Sequence, residues 1–380
     1  MKVKKSFLAT GGFSNNLGIL GLGTKQFKLN KEEFIQALNL IDFLSQEKEY
    51  TVLINYMKKN GISENLLKKL IDSNIVVTQN KLIDKTEDMD FKNKLYSQAI
   101  SLDPNEITKT LHDKTIIIAG CGGIGNFLGY ALSTYTPKNI ILIDGDKIEE
   151  SNLNRQFLFK YSDIGKYKVD VLKQELLLRN PKLKIKSIPK YVSEESFVEL
   201  NEDSNCLVIL SGDSISAVKG TTKYCVKNKI PFLNVGYLND ISVIGPFYIP
   251  TKSSCPFCNN TLSLEEHGDN KILNILEKIN NEYEAPSTFT NNSLAASMAM
   301  SDILQFASGN LTNIKSINSR FGVDNVTFKT YTIEVPKDNN CDFCEGIRGY
   351  TLSGMDENSM PDFLYKKEDI CCPLVIQSIH

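Results

Sequence analysis

The hydrophobic positions near the amino terminus have the spacing of a helix that packs on one side. Phe34, Leu38 and Ile41 fall on one helical face, and Asn30 followed by Glu33 has the spacing of a capping box just before them. The rest of this region is predicted to form two more helices and a strand, over residues 48–59, 63–72 and 75–77. Because the residues before Asn30 are glycine-rich and hairpin-like, the pattern predicts a small α+β module.

A different pattern follows further along the chain, where apolar residues form short continuous runs. Thr115–Ala119 and Asn139–Ile143 are rich in β-branched residues, as buried parallel strands are, and a third run starts at Leu207. A helix is predicted between the first two runs, over residues 126–134. Strands that alternate with helices predict a doubly wound parallel sheet, in which ligands bind beyond the carboxyl ends of the strands.

Glycines come directly after the first of these strands. They stand at Gly120, Gly122, Gly123 and Gly125. Such glycines permit a tight turn and a close approach of the backbone to phosphate, beside a helix amino terminus that favours anions. The next strand ends in Asp144, about 20 residues after the glycines, which is the usual position of a ribose-binding carboxylate. This pattern predicts a nucleotide-binding fold and leaves an ordinary NAD domain open.

The polar residues that follow Asp144 favour phosphate chemistry over hydride transfer. Asp146 comes one glycine later, and two cations and two amides follow, from Arg155, Lys168, Asn152 and Gln156. A reaction at an α-phosphate needs cations that neutralise negative charge and fixed donors that hold the phosphate in line. An NAD enzyme has no comparable use for this cluster, whereas the same residues on an ordinary helix would only form a solvated face.

The strand that starts at Leu207 ends in Gly212 and Asp213. Because ligands lie beyond the carboxyl ends of such strands, Asp213 is a candidate ligand of Mg²⁺, which takes oxygen ligands together with substrate phosphate. The alternative is an amino-terminal cap for the next helix, and the two roles are compatible.

The ordered motifs GCGGIGN, DGD, SNLNRQ, DIGKYK and SGDS resemble those of the adenylyltransferases that activate ubiquitin-like and sulfur-carrier proteins. The resemblance covers roughly residues 111–346. It implies MgATP as cofactor, with Asp144 on the ribose and Asp213 on Mg²⁺. It also implies that Arg155 and Lys168 are the phosphate-binding cations, assisted by Asn152 and Gln156.

The resemblance also implies a homodimer, because relatives often reach an arginine from an amino-terminal segment into the partner's ATP site. This chain has no arginine before Arg155. The lysines that could take that place are Lys92, Lys94, Lys109 and Lys114. Lysine is a point charge and lacks the bidentate fork of arginine, so the substitution is not equivalent.

A narrower resemblance, over 232–250, 286–306 and the glycine-rich opening of the chain, is to the peptide adenylyltransferases of microcin C maturation. It implies activation of the C-terminal asparagine of a short ribosomal precursor peptide, with pyrophosphate release and a peptide–nucleotide product linked through nitrogen and phosphorus. ATP is predicted, and CTP remains open. The residues predicted to contact the peptide are Tyr237, Asn239 and Asn291.

Cysteines provide a separate prediction. Cys255 and Cys258 form one CxxC pair, and Cys341 and Cys344 form a second. Four thiolates at this spacing predict one closed, structural Zn²⁺ site that links two distant segments, and a redox pair is the alternative. No cysteine lies between the two pairs, which disfavours a thioester relay.

Composition excludes several classes of protein. A formal net charge of −2 gives no basic footprint for nucleic acid, and no apolar run is long enough to cross a bilayer. Cysteines without a disulfide framework and the lack of a signal peptide predict a cytoplasmic location.

The predicted fold is therefore α/β, with a Rossmann-like doubly wound sheet and a four-cysteine zinc site behind a winged-helix-like, peptide-binding module. The predicted divisions are a peptide-recognition module over 1–86, a linker over 87–113, a core over 114–348 and a tail over 349–380. Besides peptide nucleotidylation, the residues leave open an activator of a sulfur-carrier or ubiquitin-like protein ending in Gly-Gly. A non-enzymatic zinc module is disfavoured because the predicted ATP residues are all present.

Overall fold

The computed structural model describes residues 1–198, 200, 205–212, 214–260, 275, 278–280 and 282–344. The chain divides into two units, Met1–Thr110 and Leu111–His380. The predicted tail over 349–380 and the predicted Mg²⁺ ligand Asp213 lie outside the described residues. Among the residues that are described, no helix combines the length and the apolar character that a membrane span requires.

Two small antiparallel sheets and a set of helices build the amino-terminal unit. The strands are β1 (Lys2–Lys5), β2 (Gly11–Ser14), β3 (Leu17–Leu20), β4 (Phe27–Asn30), β5 (Lys48–Glu49) and β6 (Val76–Thr78). The helices are α1 (Lys31–Phe43), α2 (Tyr50–Lys59), α3 (Glu64–Asp72), α4 (Phe91–Ala99) and α5 (Pro104–Asp113). The sheet orders are β5-β1-β6 and β2-β3-β4, which confirms the predicted α+β class of this unit.

Helix α1 begins where the sequence predicts, because the Asn30 side chain accepts a hydrogen bond from the Glu33 N–H at 2.9 Å. Its buried side agrees with the prediction only in part: Phe34 is buried and Ile41 packs against the same core, but Leu38 does not. The stripe that packs into the core of this unit contains Phe34, Ala37 and Leu40, whereas Leu38 is 44% exposed. The buried face is therefore rotated toward Ala37 and Leu40, because neighbouring elements and not spacing alone select the face that packs.

The segment over 87–113 is helical rather than an irregular connection. It contains α4 and α5, and Gln98 of α4 is fully buried. The Gln98 side chain is hydrogen-bonded to the Ser6 hydroxyl and donates to the Lys81 carbonyl at 2.7 Å. These bonds tie α4 to the rest of the amino-terminal unit, while the predicted domain limits stay predictions.

A mixed sheet of eight strands forms the centre of the second unit. The strands are β7 (Thr115–Ala119), β8 (Asn139–Ile143), β9 (Ile185–Ile188), β10 (Cys206–Leu210), β11 (Phe232–Leu238), β12 (Ile241–Tyr248), β13 (Ser319–Asp324) and β14 (Thr330–Glu334). The sheet order is β14-β13-β12-β11-β10-β7-β8-β9. The five strands from β9 to β11 are parallel, and β12, β13 and β14 continue antiparallel from β11.

Helices cover both faces of the parallel strands. They are α6 (Gly123–Ser133), α7 (Lys168–Arg179), α8 (Glu194–Val198), α9 (Ile215–Lys227) and α10 (Phe289–Ala307). Ile117 and Val208 face a core shared with α8 and α9, whereas Ile118 lies on the opposite face, near α6 and α7. Successive side chains along these buried strands thus pack into two cores, one on each face of the sheet. The predicted doubly wound sheet is therefore confirmed.

The order β9-β8-β7-β10-β11 places the first parallel strand of the chain, β7, next to the fourth, β10. The strand order reverses between these two, so their carboxyl ends open the crevice in which sheets of this class bind ligands. Gly120 follows β7 directly and Ser211 follows β10 directly. The fold therefore brings the glycine-rich loop and the end of the LVILSGDS motif to one place.

Candidate active site

Three of the four glycines in the loop after β7 are required by the fold itself. Gly120 has a φ of 99°, and a side chain there would also meet the Gly212 backbone nitrogen at 2.7 Å. A side chain at Gly125 would overlap the Gly120 carbonyl oxygen, and one at Gly123 would overlap the Asn292 side chain. These glycines permit a tight turn and close packing against the next helix.

Gly122 has a different environment. Its φ of −70° suits any residue, and the nearest atom to an added Cβ would be Gln156 Nε2, at 3.8 Å. No packing in the described structure requires a glycine here, yet the residue is the amino-terminal cap of α6. The Oε1 atom of buried Gln156 has no hydrogen-bond partner within the described residues. An open backbone at a helix amino terminus fits a bound phosphate group, and the nearby Gln156 Nε2 is a donor on the same side. The unsatisfied Oε1 is an acceptor and would take a hydroxyl or N–H donor of a ligand.

Asn126, which the sequence analysis missed, holds this loop in place. Its Nδ2 donates to the Cys121 and Gly122 carbonyls, each at 3.1 Å, and its Oδ1 accepts from the Leu158 N–H. The side chain is fully buried. It therefore links the glycine-rich loop to the segment that carries Arg155.

Asp144, at the end of β8, is 8% exposed and faces the same loop. Its Oδ2 accepts from the Cys121 N–H at 2.7 Å, and its Oδ1 accepts from the Asp146 N–H at 2.8 Å. Burial raises the pKa of Asp144 above its ordinary value, although the Lys168 ammonium and the two N–H donors oppose this shift. Each oxygen retains an acceptor site, as ribose hydroxyls would require.

Lys168 is the first residue of α7, and its side chain is buried within the site. Its Nζ lies 2.7 Å from Asp146 Oδ2, and its backbone N–H donates to the Asp146 carbonyl. Asp146 is about half exposed, and its charge together with a hydrogen bond raises the pKa of Tyr191. Lys168 is thus held by a carboxylate at the edge of the crevice.

Arg155 keeps an uncompensated charge at the same edge. Its Nη1 donates to the Ser151 carbonyl at 3.0 Å and to Asn154 Oδ1 at 2.8 Å, and both acceptors are neutral. No carboxylate in the described part of the chain pairs with it. Asn152 does not line the main cavity; its Oδ1 accepts from the Glu149 N–H and thereby shapes the turn before Arg155.

These residues line a cavity of about 670 Å³, which we call the main cavity. The predicted site residues in its wall are Gly120, Gly122, Gly123, Asp144, Asp146, Arg155, Gln156, Lys168, Tyr237 and Asn239. Its far wall is formed by the end of β11 and the turn into β12, including Asp240. Asn239 has a φ of 51° in this turn, and its side chain is hydrogen-bonded to the Tyr283 hydroxyl.

Asn292, rather than the predicted Asn291, faces the main cavity. The Asn291 amide is fully used inside the chain: its Oδ1 accepts from the Thr288 N–H, and its Nδ2 donates to the Asn239 and Pro286 carbonyls. Thr288 and Asn291 form a capping box for α10, which the T-x-x-N spacing indicates. Asn291 therefore supports the wall of the main cavity, and its predicted contact with peptide stays a prediction.

The end of the LVILSGDS motif is described on either side of Asp213. Ser211 and Gly212 line the main cavity, and the Ser211 hydroxyl donates to the Gly120 carbonyl at 2.8 Å. Ser214 is the amino-terminal cap of α9, because its Oγ accepts from the Ala217 N–H. The helix cap is thus supplied by Ser214, and the predicted Mg²⁺ role of Asp213 stays a prediction.

The two CxxC pairs meet at one point, although they lie 86 residues apart in the chain. Sγ–Sγ distances are 3.7 Å for Cys255–Cys341, 3.9 Å for Cys255–Cys258 and 3.6 Å for Cys258–Cys344. A tetrahedral zinc with Zn–S bonds of about 2.3 Å requires sulfurs about 3.8 Å apart, whereas a disulfide requires about 2.05 Å. Thiol hydrogen bonds also lower the pKa of Cys258. The donors fit a closed metal site and exclude a disulfide in this structure.

A family model supplies independent evidence on relationship. Residues 96–344, about two thirds of the chain, match the model described as the ThiF family. The chain belongs to the ThiF family. The resemblance inferred from the motifs is thereby confirmed at the level of the family.

Solved structures show which fold this ThiF protein shares over nearly its whole length. E. coli MccB solved with MccA-N7isoASN is 26% identical and gives a TM-score of 0.79 over 91% of this chain and 100% of MccB. E. coli MccB solved with ATP is also 26% identical, with a TM-score of 0.77 over 90% of this chain and 100% of MccB. The microcin C7 biosynthetic enzyme MccB in complex with N-formylated MccA is 25% identical, with a TM-score of 0.78 over 90% of this chain and 100% of that structure's chain.

Sequence relatives match a smaller share of the chain than the solved structures do. The tRNA threonylcarbamoyladenosine dehydratase of Bacillus subtilis is 29% identical over 33% of this chain and 50% of the dehydratase. The SUMO-activating enzyme subunit 2 of Dictyostelium discoideum is 35% identical over 34% of this chain and 20% of that subunit. This chain thus spans half or less of the length of these relatives.

Proposed function

We propose that this chain is an ATP-dependent adenylyltransferase that acts on the C-terminus of a short ribosomal peptide, in which the last residue is asparagine. The product is a peptide–nucleotide conjugate in the biosynthesis of a microcin C-like antibiotic. The observation that carries this proposal is the likeness to MccB over 91% of this chain. The dehydratase and the SUMO-activating subunit each match only about a third of it.

The amino-terminal unit supports a peptide substrate. It contains two small antiparallel sheets whose edge strands include β2, β4, β5 and β6. An extended peptide adds to such an edge through backbone hydrogen bonds, with pockets for alternate side chains. We therefore propose that residues 1–86 recognise the precursor peptide, and that residues 114–348 carry out the reaction.

The second unit supplies the groups that phosphate transfer needs. The nucleotide is proposed to place its phosphates against the backbone at Gly122, within reach of the Gln156 amide, and its ribose against Asp144. Arg155 and Lys168 neutralise the charge that develops as the α-phosphate is attacked. Lys168 is poised for this role because a single ion pair with Asp146 holds it at the edge of the main cavity.

The peptide terminus is proposed to enter at the far wall, near Tyr237 and Asn239. Its carboxylate or carboxamide attacks the α-phosphate, and the bond to the β-phosphate breaks with its electron pair leaving on pyrophosphate. A carboxylate nucleophile needs no general base. Mg²⁺, with Asp213 as its predicted ligand, would add positive charge at the phosphates.

The remaining proposals concern the assembly and its cofactors. The four clustered cysteines are proposed to hold one structural Zn²⁺, which fixes the segment after β12 to the segment after β14. We also propose a homodimer with ATP, rather than CTP, as its nucleotide. The cytoplasmic location stays a prediction.

The decisive experiment is mass spectrometry of MccA and of short peptides ending in asparagine, incubated with the full chain, Mg²⁺ and either ATP or CTP. We expect a stable gain of one nucleoside monophosphate on the peptide, which also identifies the base. Peptides ending in glutamine, one methylene longer, test the selectivity for asparagine.

Arg155→Ala should abolish the adduct, whereas Arg179→Lys should retain it because Arg179 pairs with Glu175 outside the main cavity. Pyrophosphate exchange that appears only with a small protein ending in Gly-Gly, without any peptide adduct, would replace this proposal with carrier-protein activation.

A further inference from the structure

The segment before α10, residues 282–288, contributes Tyr283 and Ser287 to the wall of the main cavity. At one end the Tyr283 hydroxyl is hydrogen-bonded to the Asn239 side chain, in the turn between β11 and β12. At the other end the Ser287 carbonyl accepts a hydrogen bond from Asn154 Nδ2 at 2.9 Å. The segment therefore connects the far wall of the main cavity to the stretch that carries the proposed phosphate-binding arginine.

Asn154, the residue directly before that arginine, makes hydrogen bonds in two directions. Its Nδ2 donates to the Ser287 carbonyl, and its Oδ1 accepts from Arg155 Nη1 at 2.8 Å. A side chain that only donates or only accepts cannot make both bonds, whereas a carboxamide can. Asn154 and Ser287 lie 133 residues apart in the chain, so this link exists only in the folded protein.

The guanidinium of Arg155 is oriented through a single nitrogen. Its Nη1 donates to the Ser151 carbonyl at 3.0 Å and to Asn154 Oδ1, which uses both hydrogens of that nitrogen. Within the described ranges, no acceptor takes the hydrogens of Nε and Nη2. These two nitrogens form an edge that a phosphate can bind through two parallel hydrogen bonds. Asn154 therefore holds the arginine by the nitrogen that such a phosphate does not need.

Aromatic packing holds the same two stretches together. The Phe127 ring of α6 lies 4.7 Å, between ring centroids, from Phe157 and 5.3 Å from Phe289, the first residue of α10. The hydrogen bond between Asn154 and Ser287 lies beside this packing and is exposed. Removing it should therefore free a side chain without unfolding the segment, because the aromatic contacts remain.

We propose that Asn154 is a positioning residue for Arg155, which it fixes to the wall formed by the segment before α10. This inference rests on the proposed function for the phosphate-binding role of Arg155. With Asn154 in place, the free edge of the arginine keeps its direction before a nucleotide arrives, so less side-chain entropy is lost on binding. The same hydrogen bonds join the arginine to the wall at which the peptide terminus is proposed to enter.

The test measures binding of a non-hydrolysable ATP analogue to the full chain by calorimetry, without peptide. Asn154→Ala should weaken binding about three- to tenfold, the range expected for the loss of one hydrogen bond. Asn154→Gln should restore most of this affinity, because the exposed position has room for a longer carboxamide. The matched control is Asn228→Ala, since Asn228 is also exposed and its Nδ2 donates to the Tyr224 carbonyl at 2.8 Å, outside the main cavity.

Two double-mutant cycles distinguish positioning from a merely structural role. In an Arg155→Ala background, Asn154→Ala should cause no further loss of affinity, because Asn154 acts through the arginine. Ser287→Gly loosens the backbone whose carbonyl Asn154 binds, and it should weaken analogue binding in the parent but little in Asn154→Ala. Thermal unfolding of the same samples checks that each variant is folded.

Three outcomes would overturn the inference. Unchanged analogue affinity in Asn154→Ala would show that this residue does not orient the arginine. An equal loss with and without Arg155 would show that Asn154 acts by another route, and additive effects of Asn154→Ala and Ser287→Gly would remove the link to the segment before α10. Because these measurements need no acceptor, a failure to modify any peptide would count against the proposed function alone.

Discussion

A methyl group added at Gly122 should weaken nucleotide binding strongly while changing the stability of the fold little. The φ of −70° at this position is open to alanine, and the nearest atom to the new Cβ, Gln156 Nε2, would lie in ordinary contact at 3.8 Å. Alanine restricts the unfolded chain more than glycine does, which stabilises the folded protein by about 0.4–1 kcal/mol. Alanine is also the poorer amino-terminal cap, which costs a similar amount, roughly 0.5–1 kcal/mol. We therefore expect Gly122→Ala to change the unfolding free energy by less than about 1 kcal/mol.

The effect on nucleotide binding should be much larger. The methyl group would occupy the space through which a phosphate reaches the backbone N–H groups of the loop. Losing one or two charge-assisted hydrogen bonds of about 1.5–3 kcal/mol each gives a loss of roughly 3 kcal/mol. At about 1.4 kcal/mol per tenfold, the Kd for a non-hydrolysable ATP analogue should rise about 100-fold.

Calorimetry of the analogue and thermal unfolding of the same samples check both halves of this expectation. Gly125→Ala is the contrasting variant, because its Cβ would overlap the Gly120 carbonyl oxygen. It should lower the Tm, with an overpacking cost of about 1–3 kcal/mol. If Gly122→Ala binds the analogue within about threefold of the parent while its Tm is unchanged, phosphates do not approach this backbone and the reasoning is refuted.

Three further predictions concern other parts of the site. Cys341→Ser, or treatment with a chelator, should remove one bound zinc per chain and lower the Tm, as metal analysis with thermal unfolding would show; a parent protein without metal contradicts this. Because burial raises the pKa of Asp144, ATP affinity should fall as the pH drops through a value above that of an exposed aspartate. The folded protein binds this proton more tightly than the unfolded chain does. Burial of the charged Asp144 carboxylate therefore lowers the free energy of unfolding at pH values above the folded-state pKa, and this loss is progressively regained as the pH falls below that pKa. Asp144→Asn should flatten the pH dependence of both ATP affinity and the free energy of unfolding. An unchanged pH dependence in this variant would exclude Asp144 as its source. Lys168→Met should lower single-turnover adduct formation by about 10²–10³, because one phosphate-binding cation is lost. The Tm should fall only modestly, because the Asp146 carboxylate left without its partner is about half exposed and stays hydrated. Retained turnover would remove Lys168 from the reaction.

Features that depend on local spacing are predictable from the sequence. The strands Thr115–Ala119 and Asn139–Ile143 have the same bounds in the sequence prediction and in the structure, because continuous β-branched runs suit buried parallel strands. The Asn30 cap follows from a side chain that reaches only three residues along the chain. The position of Asp144 beside the glycine-rich loop follows from the regular geometry of a strand, a loop and a helix.

Tertiary structure alone decided which side chains meet and which way they face. Asn291 and Asn292 are neighbours on α10, about 100° apart around its axis, so only the packing of α10 shows that Asn292 faces the main cavity. The pairing of Lys168 with Asp146 likewise depends on how β8 and the start of α7 converge. Sequence determines local conformation through short-range contacts, whereas the direction of a side chain toward a site depends on the packing of segments that are distant in the chain.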